Sequence, residues 1–295
     1  MIQVLACLLA ASSAAFAQGP LKVVSQKTVG GFMHVESVAY DPLAKALYAS
    51  EFGAQKLDPA LKDGKGRIVK LDLEGKVLEA RFLPGAGGQA LNKPKGIWVK
   101  GSRLWVTDID AVWIFDLKTK KGRKLALPEA KFANDSAVVG NALYVSDNQT
   151  DKVFRVVPAD FLDSKAEPQV STVLAGKDVG PNGLYPARGG GLLVAGFSPG
   201  KANPVHALGA NGQLKALSDP IGSIDGLYQM KDGSLLGTDW KSGSLFHWSR
   251  KDGMQKLATG FKGPADFCVI PGKDGLIAVV PDLVQGSLRF ARLSR

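Results

Sequence analysis

Four residues spread along the chain, Glu36, Asn134, Asn182 and Asp225, stand at or beside the openings of short apolar runs, and each carries side-chain oxygen. Together they bring two formal negative charges and neither thiolate nor imidazole. Such a set suits a hard divalent cation completed by water. Calcium accepts about 6 to 8 oxygens at roughly 2.3 to 2.6 Å, while magnesium and manganese take six. One divalent ion is therefore expected, calcium first, with zinc, manganese or magnesium as alternatives; zinc bound through thiolate or histidine is disfavoured. A cation placed there would act as a Lewis acid on a bound carbonyl, and Asp225 or another nearby carboxylate would activate water as general base. Lys95 adds a positive charge that would anchor an acidic ligand or pair with Asp266, and Trp240, in DWKSG, is an aromatic able to cover a ligand. Of the three histidines, His34 lies two residues before Glu36, whereas His206 and His247 fall in outer strands.

A repeat positions these residues. The stretch 224–240, IDGLYQMKDGSLLGTDW, is an acidic residue opening an apolar strand, an Asp-Gly turn and a return strand. Six copies open at Glu36 (ESVAYDPLAKALYASE), Lys95 (KGIWVKGSRLWVTD), Asp135 (DSAVVGNALYVSD), Asn182 (NGLYPARGGGLLVAG), Asp225 and near Asp266 (ADFCVIPGKDGLIAVVP). Most openings lie about 40 to 47 residues apart, the period of a four-stranded propeller blade. In an up-and-down blade, the start of the innermost strand and the connection from strand two to strand three share one end of the ring. Glu36, Lys95, Asn134 with Asp135, Asn182, Asp225 and Asp266 are thus expected at one mouth of a central channel. Taken singly, Asn-Gly and Asp-Gly are turn formers. The blades carry separate glycine turns between strands one and two, however, so Asn182-Gly183 and Asp225-Gly226 are not needed for those hairpins.

The fold expected is all-β, a six-bladed β-propeller. Its 35 glycines in 295 residues, without a Gly-X-Y period, fit many tight turns between short strands. The last blade offers only three strands, near 266–270, 275–279 and 287–293. Leu21 to Thr28 alternates apolar and polar residues and has no local partner, so it supplies the fourth strand and closes the ring, removing open edges. Blade one carries an insertion, Phe52 to Gly66. A repeat array buries its core collectively, so residues 18–295 are expected to form a single domain.

Residues 1–17, MIQVLACLLAASSAAFA, form an uncharged apolar run ending in a small-x-small pattern before Gln18, which identifies a signal peptide and a periplasmic or secreted protein. The run is short for a membrane span, so no stable membrane insertion is expected. Its removal leaves Cys268 alone and hence no intramolecular disulfide. The net charge of +10 is scattered among acidic residues, which argues against a nucleic-acid partner.

At Glu36 in VESVAYDP, Asn134-Asp135 in FANDSAVV, Asn182 in GPNGLYPA and Asp225 in IDGLYQMKDGSLLGTD, the chain resembles the senescence-marker-protein, gluconolactonase and luciferin-regenerating-enzyme family of six-bladed propellers, with a more distant likeness to paraoxonases. The resemblance spans nearly all of residues 30–290. It implies a divalent-metal site from Glu36, Asn182 and Asp225, Asn134 facing both metal and substrate, and hydrolysis of a lactone or ester. The sugar lactonases resemble an Arg, Phe, Asn, Asp, Gly run, whereas this chain has Lys131, Phe132, Ala133, Asn134, Asp135, Ser136. Lys131 stands one position away as the substitute and lacks the arginine fork. The alternative is a non-catalytic propeller that binds a ligand or partner around a structural divalent cation, because fold does not fix chemistry.

Overall fold

In the computed structural model of the chain, which describes residues 19–85, 89–198 and 200–295, twenty-four strands form six four-stranded antiparallel sheets arranged as the blades of a propeller. The innermost strands are Val35–Asp41, Pro94–Lys100, Ala133–Val139, Pro181–Pro186, Ile224–Gln229 and Cys268–Gly272. Each pairs with a second strand, respectively Ala46–Glu51, Arg103–Asp108, Ala142–Asp147, Leu192–Gly196, Leu235–Asp239 and Gly275–Asp282. No helix among the described residues is long and apolar enough to cross a membrane. The proposed leader, residues 1–17, lies outside the described residues.

Every blade is sandwiched between two neighbours, so its inner strands are covered on both faces. Ala46–Glu51 and Leu192–Gly196 are accordingly buried at every position, whereas the outermost Lys22–Gly30 is largely exposed. Apolar layers between blades hold the ring together. Trp105 and Ile114 of the second blade meet Val138, Val145 and Phe154 of the third, and Leu236 and Leu245 of the fifth meet Val269, Ala278 and Val280 of the sixth.

Closure follows the sequence expectation. Lys22–Gly30 pairs antiparallel with Ser287–Ser294, from Lys22 opposite Ser294 to Gly30 opposite Ser287, and completes the last blade. Leu21, 4 % exposed, anchors its start in the layer formed by Met230, Phe261 and Leu293. The innermost strand of that blade begins later than its sequence suggests. Pro264 bridges Asp282, the ladder resumes at Cys268 opposite Val279, and Asp266 falls in the gap.

Candidate functional site

Five innermost strands lose register at one level: between Val35 and Ser37, Pro94 and Ile97, Ala133 and Ser136, Pro181 and Leu184, and Ile224 and Leu227. Such bulges release residues from the ladder and re-aim their side chains. The first residues released are Glu36, Lys95, Asn134, Asn182 and Asp225. Hydroxyls from the second strands satisfy the freed backbone and tie blade to blade. Ser146 Oγ accepts the Asp135 N–H at 3.0 Å and donates to the Asn182 carbonyl at 2.6 Å; Thr238 Oγ1 accepts the Gly226 N–H at 2.8 Å and donates to the Ala265 carbonyl at 3.0 Å.

The next position along each of these strands forms a second tier, occupied by Ser37, Asp135 or glycine, with Asp266 at the corresponding place in the sixth blade. Here the structure corrects one expectation. Asp135 and Asp266 do not join the others at the mouth but line a separate cavity deeper in the channel. The glycines are also required for blade packing, since a Cβ on Gly183 would stand 1.9 Å from the Asp225 carbonyl oxygen, and one on Gly226 would stand 2.6 Å from the Phe267 ring.

A cavity of about 610 Å³ sits over the first tier. Glu36, Lys95, Asn134, Asn182 and Asp225 line it together with the apolar Phe52, Leu57, Pro59, Phe132, Phe197, Trp240 and Leu283. Trp240 Nε1 donates to Asp225 Oδ2 at 2.6 Å, so this tryptophan, expected to cover a ligand, also grips the candidate base. Asn134 Nδ2 donates to Asn182 Oδ1. The Lys95 ammonium lies 4.2 Å from the centre of the Phe132 ring and donates to the Lys93 carbonyl at 3.3 Å. Among the described residues it makes no ion pair, with Asp266 or with any other carboxylate.

The electrostatics are those of negative charge crowded out of water. Burial, and then the nearby carboxylates of Asp225 and Asp266, push Glu36 well above the ordinary carboxylate range, against the pull of Lys95. Burial and Asp266 push Asp225 up to about 8, against hydrogen bonds from Trp240 and Asn182. Burial draws the Lys95 ammonium down to about 8, opposed by Glu36, Asp108 and Asp147. Glu36 Oε2 is buried with no hydrogen-bond partner. An orphaned carboxylate oxygen beside a second carboxylate and two amides fits a hard cation, which would neutralise the charge that desolvation disfavours. Among the described residues, no group of three or more His, Cys, Asp or Glu is arranged to hold a metal, so a cation here relies on the two asparagines.

Other residues are placed elsewhere. Lys131 is exposed and does not line the cavity; its N–H, like that of Phe132, donates to Asp147 Oδ2, and Phe132 forms the wall instead. The His34 ring is held between the carbonyls of Leu283 and Gln55, each at 3.0 Å, and so serves the rim. His206 and His247 lie in third strands of their blades, as expected, and burial lowers the pKa of both.

Sequence reasoning missed a recurrent support beneath the rim. Asp108, Asp147, Asp239 and Asp282 each end a second strand, are buried, and accept backbone N–H groups from the segment entering the same blade. The recurring aspartate at the end of VTD, VSD, GTD and VPD is the signal that marks them.

No family model matches the chain, and no curated protein does. Solved structures do match. A streptogramin B lyase is 12 % identical with a TM-score of 0.61, over 92 % of this chain and 98 % of that one. A selenomethionine-substituted virginiamycin B lyase from Staphylococcus aureus is 12 % identical with a TM-score of 0.63, over 94 % and 100 %. A protein of unknown function from Bacteroides thetaiotaomicron VPI-5482 is 13 % identical with a TM-score of 0.61, over 92 % and 76 %. At such identities the likeness is one of fold.

Proposed function

We propose that the larger cavity is the active site of a divalent-metal-dependent hydrolase of lactones or related esters, of the senescence-marker-protein, gluconolactonase and luciferin-regenerating-enzyme kind. One observation carries the reading: separate bulges deliver Glu36, Asn134, Asn182 and Asp225 to the floor of one largely apolar cavity, where Glu36 Oε2 has no partner. A bound cation would supply Lewis-acid polarisation of the carbonyl. Glu36, Asn182 and Asp225 would hold it, with Asn134 on the substrate side. Asp225 has one oxygen fixed by Trp240 and would use the other to take a proton from the attacking water. The aromatic walls would seat the apolar part of the substrate and exclude bulk water, and Lys95 would face an anionic substituent or the product carboxylate. Since Lys131 lies outside the cavity, an aryl- or alkyl-substituted lactone fits better than a sugar lactone.

A second reading, a ligand-binding propeller braced by a structural cation, draws support from the same Trp240 to Asp225 hydrogen bond, which restrains the candidate base. A hydrolysis screen separates the two. Metal-stripped protein, reloaded with calcium, zinc, manganese or magnesium, is assayed on sugar lactones, aliphatic lactones and aryl esters. Turnover of apolar lactones or esters that requires added metal is expected; metal binding without turnover of any substrate favours the second reading. Because two fold neighbours bear the name lyase, products formed in oxygen-18 water distinguish hydrolysis from elimination. We also propose export to the periplasm or beyond, so mass spectrometry of the secreted protein should find Gln18 or a close neighbour at its N-terminus.

A further inference from the structure

The channel holds a second cavity, of about 160 Å³, which shares no lining residue with the first. Trp98, Tyr185 and Tyr228 project into it from three blades. The Tyr185 ring centre lies 6.1 Å from that of Trp98 and 5.1 Å from that of Tyr228. The second-tier carboxylates Asp135 and Asp266 also line it. The rings are partly exposed and both acids are buried, so the cavity runs from a solvent-facing aromatic end to an acidic interior. Ser136, 1 % exposed, contributes to the lining, and its Oγ has no hydrogen-bond partner.

These walls do not suit a hard metal ion. Asp135 already accepts the N–H groups of Ser136 and Leu184, each at 2.6 Å, and Asp266 accepts Ser37 Oγ at 2.6 Å. Too few free oxygens remain for the roughly six to eight that calcium requires. What remains is a pair of carboxyl groups behind aromatic faces; burial raises the pKa of both, Asp266 to about 7, and a weakly hydrated organic cation seated against the rings would favour their charged form. The size agrees, since a cavity of about 150 Å³ holds a six-membered carbon ring. The unpartnered Ser136 hydroxyl would meet a polar substituent next to the charge.

We propose that this end of the channel binds a compact methylated ammonium, seated against Trp98, Tyr185 and Tyr228 and facing Asp135 and Asp266. The site is independent of the hydrolase reading, and its test uses no turnover. Metal-stripped full-length protein is titrated calorimetrically with choline and with tetramethylammonium, and in parallel with 3,3-dimethylbutan-1-ol, the uncharged isostere of choline. Sodium chloride keeps the ionic strength constant. One saturable choline site per chain is expected, with the isostere weaker by about tenfold or more. Trp98→Ala should weaken choline by a similar factor while Trp98→Phe retains most of the affinity, and Asp266→Asn, with its melting temperature recorded, provides a second probe. Equal affinity for the isostere, absence of saturation with either cation, or unchanged binding in both Trp98→Ala and Asp266→Asn would overturn the proposal. So would loss of choline binding in Trp240→Ala with Trp98→Ala unaffected, which assigns the cation to the larger cavity.

Discussion

Glu36 and Asp225 are carboxyl groups that burial holds in the protonated form well beyond the pH at which they ionise in water. The unfolded chain releases these protons near pH 4, whereas the folded metal-free chain keeps that of Asp225 until about 8. Between those values the unfolded state binds fewer protons. Stability is therefore fullest below about pH 4 as far as these groups are concerned, and it declines as pH rises through the window. Lys95 begins to titrate only at the top of it. Metal-stripped protein should accordingly melt at a lower temperature at pH 8 than at pH 5, and saturating calcium should reduce or reverse that trend; a melting temperature that rises with pH when metal is absent contradicts the assignment. Asp225→Asn keeps the side-chain shape and removes both charge and base. It should lower turnover by about a hundredfold to ten-thousandfold and leave the circular dichroism spectrum unchanged.

At the scale of strands and bulges, the same displacement of the backbone that aims Asn182 and Asp225 also brings the next blade against Gly183. Gly183→Ala would drive a Cβ into the Asp225 carbonyl oxygen, 1.9 Å away, at a cost of about 3 kcal/mol or more, read as a lower denaturant midpoint with an unchanged slope. The sequence made the blade openings legible because each pairs an apolar inner strand with a turn at a regular interval. It did not mark the bulges, since nothing in a run such as ANDSAVV distinguishes residues inside a ladder from residues that leave it. In sequence, Asn134 and Asp135 therefore form one unit, although the two line different cavities. Lys131 stands outside the cavity for a related reason: Asp147 draws its backbone into the support of the strand entry and leaves the side chain in solvent. The aromatic walls were hidden too, because Phe52, Phe132 and Phe197 come from three separate connections that meet only in the closed ring.

For the molecule as a whole, ring closure gathers residues of all six blades around the larger cavity. Removing the chain up to Gly30 takes away the strand that covers Ser287–Ser294, together with Leu21 beneath it. The melting temperature should then fall by about 5 °C or more, with aggregation through the exposed edge; an unchanged melt would show that the closing strand adds nothing. On the proposed reading, the closed ring gathers oxygen donors from separate blades into one cation site at the larger cavity. Isothermal titration of the metal-stripped parent with calcium, manganese, magnesium and zinc tests it most directly, with Glu36→Gln as the control. One site per chain is expected for at least one of these ions, with affinity reduced at least about tenfold in Glu36→Gln. No saturable binding of any of the four ions to the parent, or equal binding in Glu36→Gln, would contradict it.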